Sequence, residues 1–591
     1  MKKIIGIFLF VFVNITMILA GAFSASQYRE ALWMTTRFYG AQRCGYGPNW
    51  MIMDHREGNC HIYDSYNGYD VTGGWHDCGD HIKFMHTMGY AAYSLLRAYD
   101  AFPEAFEDRY SFDYSGYEEK QSFGYDDGKP NGIPDVLDEA KYAIMFFIKL
   151  ANIINETGYF VYQVGDGNDH NQWVTSVYQT YNLTTGDGGE KGGVSRPVFA
   201  TNSSGQALSA MAAGACALFY RVYKKFDPAF AQEALDAAIV LYNYAKTHSG
   251  TVSANGNFYP ANSTPDDDMI IAASELYMAT GDNSYLADAG KTIGDHYWVL
   301  CYNNANDYAL YAQTVAGAAQ GYYTLKSIAD RYLDKTDGTG LFTGGDGTWG
   351  PLRYNAGAAF SVALLLKLAD IIGESLDKTK YENFIYRQVD YILGDNSANL
   401  SFVVGFGDNY VQHPHHRNIY LDDHNVADKN ALRIPDRNKY AGLMIGGSRN
   451  ASSYNDNVDT YTGSEGGIDY NAGLVGALAY ICAKEAPIDT SSDLFYGVKE
   501  IEIPKTFSLN AYPNPFNPVL NISIQIPSDV KIKSISIYDI NGKLVETIAK
   551  DLKVGTYSFT WNASRYSSGI YFVRVVGNNS FVYSKKVILM K

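Results

Sequence analysis

The apolar residues of this chain change their period once, and that change limits what it can fold into. From about Ser26 to Glu485 they recur at three-and-four spacing, as in "IPDVLDEAKYAIMFFIKLANI", "GQALSAMAAGACALFYRVYKKF" and "NAGAAFSVALLLKLADII", which predicts helices. Roughly eleven segments fit this template, several opening on Pro or Asp in the first turn. They are joined by long loops rich in Gly, Asn, Asp and Tyr, and loops of that length in a compact domain are usually functional. Near Ala486 to Pro504 the pattern stops at "APIDTSSDL". Beyond it "NISIQI", "SISIYDI", "TYSFTW" and "IYFVRVV" alternate with period two, and Asn541-Gly542 between two such runs marks a hairpin. The 591 residues therefore divide into a mainly α domain over 23–487, a linker over 488–505 and a small all-β sandwich over 506–591.

The N-terminus, "MKKIIGIFLFVFVNITMILAGAFSA", sets two lysines before an apolar run and ends in Ala20-Gly21-Ala22. Residues 1–22 read as a signal peptide, with Phe23 first in the mature chain. No later apolar run is long enough to span a bilayer, so an exported, soluble, monomeric protein is expected. With 63 acidic against 47 basic residues and a net charge of -16, nucleic acid and anionic membranes are poor partners. The 50 Tyr and 29 Phe suit stacking on sugar rings, and equally suit ordinary packing.

Three stretches gather polar chemistry. "GGWHDCGDHIKF" carries Asp77 and Asp80 on a glycine-rich loop; "SFVVGFGDNYVQHPHHR" carries His413, His415, His416 and Arg417; "YNDNVDTYTGSEGGIDYNAG" carries Asp456, Asp459, Glu465 and Asp469 just ahead of a helix. Glycoside hydrolysis needs two carboxyl groups on opposite sides of the bond, one protonated and one ionised. Alone, an Asp-x-x-Asp loop is more often a turn or a cation site. Glu465, beside two glycines and near Tyr461 and Tyr470, is a carboxyl that partial burial could keep protonated. Alone, it could equally be an exposed acid at a helix N-terminus.

Taken together, and with "ALWMTTRFYGAQRCG", "NGIPDVLDEAKY", "VGDGNDHNQW", "WGPLRYNAGAAF" and "LGDNSANLSFVVGFG", these stretches resemble glycoside hydrolase family 9, the inverting cellulases. The resemblance covers nearly all of residues 23–485. It implies an (α/α)6 barrel and an endo-β-1,4-glucanase acting on cellulose or soluble β-glucans. Asp80 would be the general base, Asp77 would share its water, and Glu465 would be the general acid. His415 and Arg417 would bind the sugar beside the cut, and Asp456 would organise the acid's loop. His170, Trp173, Trp349, Arg353, Tyr354 and Tyr470 would line the cleft. Two positions depart from the family pattern: Cys78 stands where Ala is commoner, and Gly467 where a small side chain is expected. The rival readings are an exo-acting glucanase or glucosaminidase of the same fold, and a non-catalytic glucan-binding surface protein.

Cys44, Cys60, His61 and His76 form a donor set suited to a closed zinc site, and their spacing resembles the structural zinc site of one branch of the family. A Cys44–Cys60 disulfide is the alternative, natural in an exported protein, but it leaves both histidines unexplained. Cys216 and Cys482 fall in Ala-rich helical stretches and read as buried thiols. Calcium sites also occur in the family. Asp266-Asp267-Asp268 is a candidate, with a solvated helix N-terminus as the plainer reading. At the C-terminus "YPNPFNP", "YDINGKLV" and "WNASRYSSGIYFVRV" resemble the type A sorting domain of type IX secretion substrates. This implies the type IX machinery as a partner and a protein secreted or attached to the cell surface. A carbohydrate-binding sandwich is the alternative, weakened by a single tryptophan, Trp561.

Overall fold

The computed structural model describes residues 21–45, 59–109, 130–261, 265–294, 296–419, 430, 441–488, 507–527, 531–552, 555–578 and 581–591. The signal peptide, except its last two residues, and the linker, except Ile488, lie outside them. The chain forms two compact units, Met1–Phe495 and Tyr496–Lys591.

Six helices of the first unit pack in a closed ring: Met85–Ala101, Gln206–Tyr223, Asp266–Thr280, Asn306–Val315, Pro351–Ile372 and Ile468–Glu485, the last returning to the first. Outside them, alternating with them along the chain, lie Ala25–Ala41, Asp135–Thr157, Pro228–Thr247, Leu286–Ala289, Tyr322–Asp334 and Lys378–Leu393. This is an (α/α)6 barrel. The inner helices are buried nearly all round, which is why their sequences run to Ala, Gly, Leu and Phe without a polar stripe. Their axes approach closely enough that a Cβ on Gly473 would stand 2.7 Å from the Gly357 amide nitrogen of the neighbouring inner helix. The outer helices are amphipathic; Asp135–Thr157 buries one face and exposes the other.

The expectation that no later run could span a bilayer needs correction. Pro351–Ile372 is long and apolar enough by length and composition. As an inner helix it is largely buried, and the barrel core accounts for its apolarity.

Most connections from an inner helix to the next outer one are short, whereas those from outer to inner are long. One end of the barrel therefore carries the elaborate loops, on the side of the inner helices' N-termini. There a three-stranded sheet, order Lys83–Phe84, Phe160–Val164, Val198–Thr201, anchors the loop that holds the first aspartates. Asp266–Asp268 is not a solvated helix start: Asp267 and Asp268 are buried, and Asp267 accepts a hydrogen bond from the Ala305 amide at 2.8 Å.

The second unit is a two-sheet sandwich. One sheet pairs Gly555–Asn562, Val519–Ile526 and Ser508–Tyr512; the other pairs Val582–Leu589, Gly569–Gly577, Ile532–Asp539 and Leu544–Leu552. Inward residues such as Ile522, Ile524, Ile535, Val573 and Val587 fill the space between them, as the period-two pattern requires. Asn541-Gly542 makes the hairpin turn, with Gly542 at φ +77°. Trp561 lies inside this core, 1% exposed, so it belongs to packing rather than to a sugar-binding face.

Candidate active site

The loop from Gly73 to Phe84 is fixed at both ends. Trp75 bridges to Arg43, the His76 amide donates to the Gln42 carbonyl at 2.8 Å, and Asp77 N–H closes on the Ile82 carbonyl at 3.0 Å. Two later loops are sewn to it through backbone groups. Arg417 N–H donates to the Gly79 carbonyl at 3.2 Å, His415 N–H to Ser464 O at 2.9 Å, and Ile468 N–H to Asp77 O at 3.0 Å. Gly79 is required by this seam, since a Cβ there would stand 2.0 Å from the carbonyl oxygen of His415.

The three loops surround a cleft of about 870 Å³. Asp77, Asp80 and Glu465 all face it, from distant parts of the chain. Their surroundings differ. Burial first, then the charges of Asp80 and Asp77, holds Glu465 well above the ordinary carboxylate range, against a hydrogen bond from the Gly79 amide and the charge of Arg417. Burial, then Asp80 and Asp469, pushes Asp77 up to about 8. Asp77 is caged by hydrogen bonds from Thr87 Oγ1 to Oδ1 and from Tyr259 OH to Oδ2. Asp80 is also raised, by burial and by the charge of Asp169, but His170 and Arg417 oppose the rise, and the Ile82 amide donates to its Oδ1 at 2.8 Å. His170 Nε2 stands 3.8 Å from Asp80 Oδ2. Three neighbouring carboxyls thus have unequal proton affinities, which is what an acid and a base sharing one site require.

Trp173, Trp349, His170, Arg353, Tyr470, His415 and Arg417 line the same cleft. Trp349 is 41% exposed and meets Tyr461 at 5.5 Å, offering flat apolar faces. The His415 ring is set by Nδ1 donating to Val458 O at 2.7 Å, and by an edge-on contact with Trp173 at 5.2 Å.

Two residues of the expected site do not line the cleft. Tyr354 is buried behind the cleft and accepts a hydrogen bond from Arg353 Nη2 at 2.8 Å. Asp456 does not line the cleft either; it accepts from the Gln412 and His413 amides at 2.7 and 3.1 Å and clamps their loop. Arg417 lines the cleft, but its guanidinium is engaged by Asp169 and by the Gly79 carbonyl. Burial works to raise Asp169 and is overcome by Arg417, then His81 and His170, so this carboxyl sits well below the usual range.

Sequence reasoning missed Asp169, Thr87, Tyr259 and Phe258, whose ring stacks on His170 at 5.1 Å. Asp169 adjoins His170 in a quoted motif and could have been found there as the partner a buried arginine needs. Tyr259 and Thr87 carry no motif.

Cys44, Cys60, His61 and His76 are all buried, with one ligand atom of each within 4.8 Å of the others. The thiols are not bonded to each other. Cys44 Sγ lies 3.8 Å from His61 Nδ1, His61 Nδ1 3.3 Å from His76 Nε2, and Cys60 Sγ 4.0 Å from His76 Nε2. These are close to the edges of a tetrahedron with metal–nitrogen bonds of ~2.0 Å and metal–sulfur bonds of ~2.3 Å. Gln179 Oε1 stands 3.2 Å from His61 Nε2 and fixes that ring, the second contact a ligating histidine normally makes. His61 holds φ +48°, a conformation such a residue keeps only when its surroundings impose it. The donor set fits zinc.

An alternating double ring of helices, with a carboxyl-lined cleft at the end that bears its long loops, defines a class of glycoside-cleaving enzymes. Residues 28–478 match the model of glycosyl hydrolase family 9, and the chain belongs to that family. Residues 510–590 match the model of the secretion system C-terminal sorting domain. Endoglucanase A of Fibrobacter succinogenes is 34% identical over 429 residues, 68% of this chain and 89% of that protein. A cellulase of C. cellulolyticum, solved with cellobiose, matches with a TM-score of 0.62 and 29% identity, over 77% of this chain and 98% of that one. An endoglucanase of the termite Nasutitermes takasagoensis matches with a TM-score of 0.61 and 26% identity, over 77% and 98%.

Proposed function

We propose that the chain is an exported endo-β-1,4-glucanase that cuts internal bonds of cellulose or soluble β-glucans with inversion. The observation that carries this reading is the cleft itself, where Glu465 faces Asp77 and Asp80 from a separate loop, with its pKa driven well above the ordinary carboxylate range. The names of relatives agree with it.

The glucan lies along the cleft with its rings against the exposed faces of Trp349 and Tyr461, while Trp173 and Tyr470 form its nearly buried floor. Glu465 donates its proton to the departing glycosidic oxygen. Asp80 takes a proton from a water that Asp77 helps to hold, and that water attacks from the opposite face. His415 contacts the sugar beside the bond being cut. Arg417, braced by Asp169, keeps the Gly79–Asp80 segment in place.

Cys44, Cys60, His61 and His76 would hold a structural zinc ion, which when bound supplies a rigid tether and no reactive group. His76 directly precedes Asp77, so anchoring this ring limits the motion of the loop. Metal analysis of the purified chain should find about one zinc per molecule. Cys60→Ser should lose it; a metal-free protein of unchanged stability would refute the site. The sorting domain supports export through the type IX machinery, with release or attachment at the cell surface.

The test is the ratio of viscosity loss to new reducing ends on a soluble cellulose derivative. Internal cutting lowers viscosity steeply for few new ends. Stepwise release of one short product would establish exo action instead, and no reducing ends at all would leave a binding protein.

A further inference from the structure

Cys78 sits between the two catalytic aspartates and lines the cleft, although only 5% exposed. Its thiol donates to Asp77 Oδ2 at 3.2 Å and lies 3.8 Å from Tyr259 OH, which donates to the same oxygen. Thr87 holds the other oxygen. Asp77 is thus gripped on three sides, and the sulfur fills the third.

That sulfur needs room, and the room comes from a different loop. Gly467 has φ -149° and ψ 168°, extended backbone that any residue adopts, so its conformation does not call for glycine. Space does. A Cβ at 467 would stand 2.8 Å from Cys78 Sγ, nearer than real carbon atoms come, and 3.1 Å from Asp469 Oδ1. Gly467 also begins the helix whose Ile468 amide donates to the Asp77 carbonyl at 3.0 Å. Pushing the sulfur aside would therefore disturb both the Asp77 carboxylate and the seam between the loops of the base and the acid.

We propose that Cys78 is a positioning residue that fixes the Asp77 carboxylate, and that residue 467 is glycine in order to admit its sulfur. The catalytic part rests on the assignment of Asp77 to the attacking water; the steric part does not.

The experiment is a double-mutant cycle on the full chain, with kcat and KM on a soluble β-glucan and thermal unfolding measured for each variant. Cys78→Ala should lower kcat by about three- to tenfold, the worth of one buried hydrogen bond, with KM within about twofold. Cys78→Ser, which keeps a donor, should restore most of the loss. Unchanged kcat in Cys78→Ala would overturn the positioning role.

Gly467→Ala should lower kcat or the unfolding temperature strongly, by about tenfold or more in rate, when Cys78 is present. In the Cys78→Ala background the same change should be nearly silent. Equal damage in both backgrounds would overturn the steric coupling. Should Gly467→Ala fail to fold, recovery of folding in the double variant supports the coupling and continued failure refutes it. Asp77→Asn separates the two parts: wild-type kcat in that variant would refute the role of Asp77, while the coupling read from unfolding would stand.

Discussion

Asp77, Asp80 and Glu465 share one cleft, and what separates them is what else touches each. Glu465 is raised by burial, Asp80 and Asp77 against the Gly79 amide and Arg417; Asp80 is raised by burial and Asp169 against His170, Arg417 and the Ile82 amide. The acid must be protonated to work, so activity falls as pH rises through the elevated pKa of Glu465. The base must be ionised, so activity also falls as pH drops below the pKa of Asp80. A bell-shaped profile of kcat/KM follows. His170→Phe removes a group that opposes the rise of Asp80, so the acidic limb should move to higher pH while the alkaline limb stays; an unmoved acidic limb would count against that contact. Glu465→Gln should lose about 10²–10⁴-fold in kcat and still bind polymer, checked by turnover and by a pull-down on cellulose. Arg417→Ala leaves Asp169 buried without its cation and should cost about 3–5 kcal/mol in urea unfolding. Asp169 has a depressed folded pKa, so the stability it adds is present above its unfolded value of ~3.9 and is lost as pH falls toward the folded one.

Helices and loops differ in how much of them the sequence discloses. The inner helices were legible because burial on all sides leaves an apolar run with helical spacing, and the sandwich strands because a two-sided sheet alternates. What could not be read from spacing was which helices are inner, since the ring is closed by contacts between segments far apart in sequence. The site divides the same way. Asp77, Asp80 and Glu465 stood out by residue type in glycine-rich loops, whereas Tyr259 reaches Asp77 from a loop with no pattern at all. Resemblance sets Tyr354 in a cleft it supports but does not line, and Asp456, expected to organise the acid's loop, holds the Gln412 and His413 amides. Cys78 and Gly467, separate oddities along the chain, meet in space and explain each other. The close packing of the inner ring gives its own test. Gly473→Ala sets a Cβ against the Gly357 backbone of the neighbouring inner helix and should cost about 1–3 kcal/mol in thermal or urea unfolding.

Across the whole molecule, chemistry and address are written in different units. The cleft and its acids lie within the helical unit, and the sandwich has its own core. A chain ending at residue 495 should therefore keep kcat and KM on soluble glucan, while failing to leave the cell in a host with the type IX machinery; loss of turnover on truncation would mean that the units depend on each other. The scheme proposed for this enzyme is a single displacement by water, with Asp80 and Glu465 acting from opposite sides of the sugar. Proton NMR of the first reducing ends released from a β-1,4-glucan reads it out. The α anomer should appear first and then mutarotate towards the β form. Initial accumulation of the β anomer would mean a double displacement and would refute the roles given to both carboxyls.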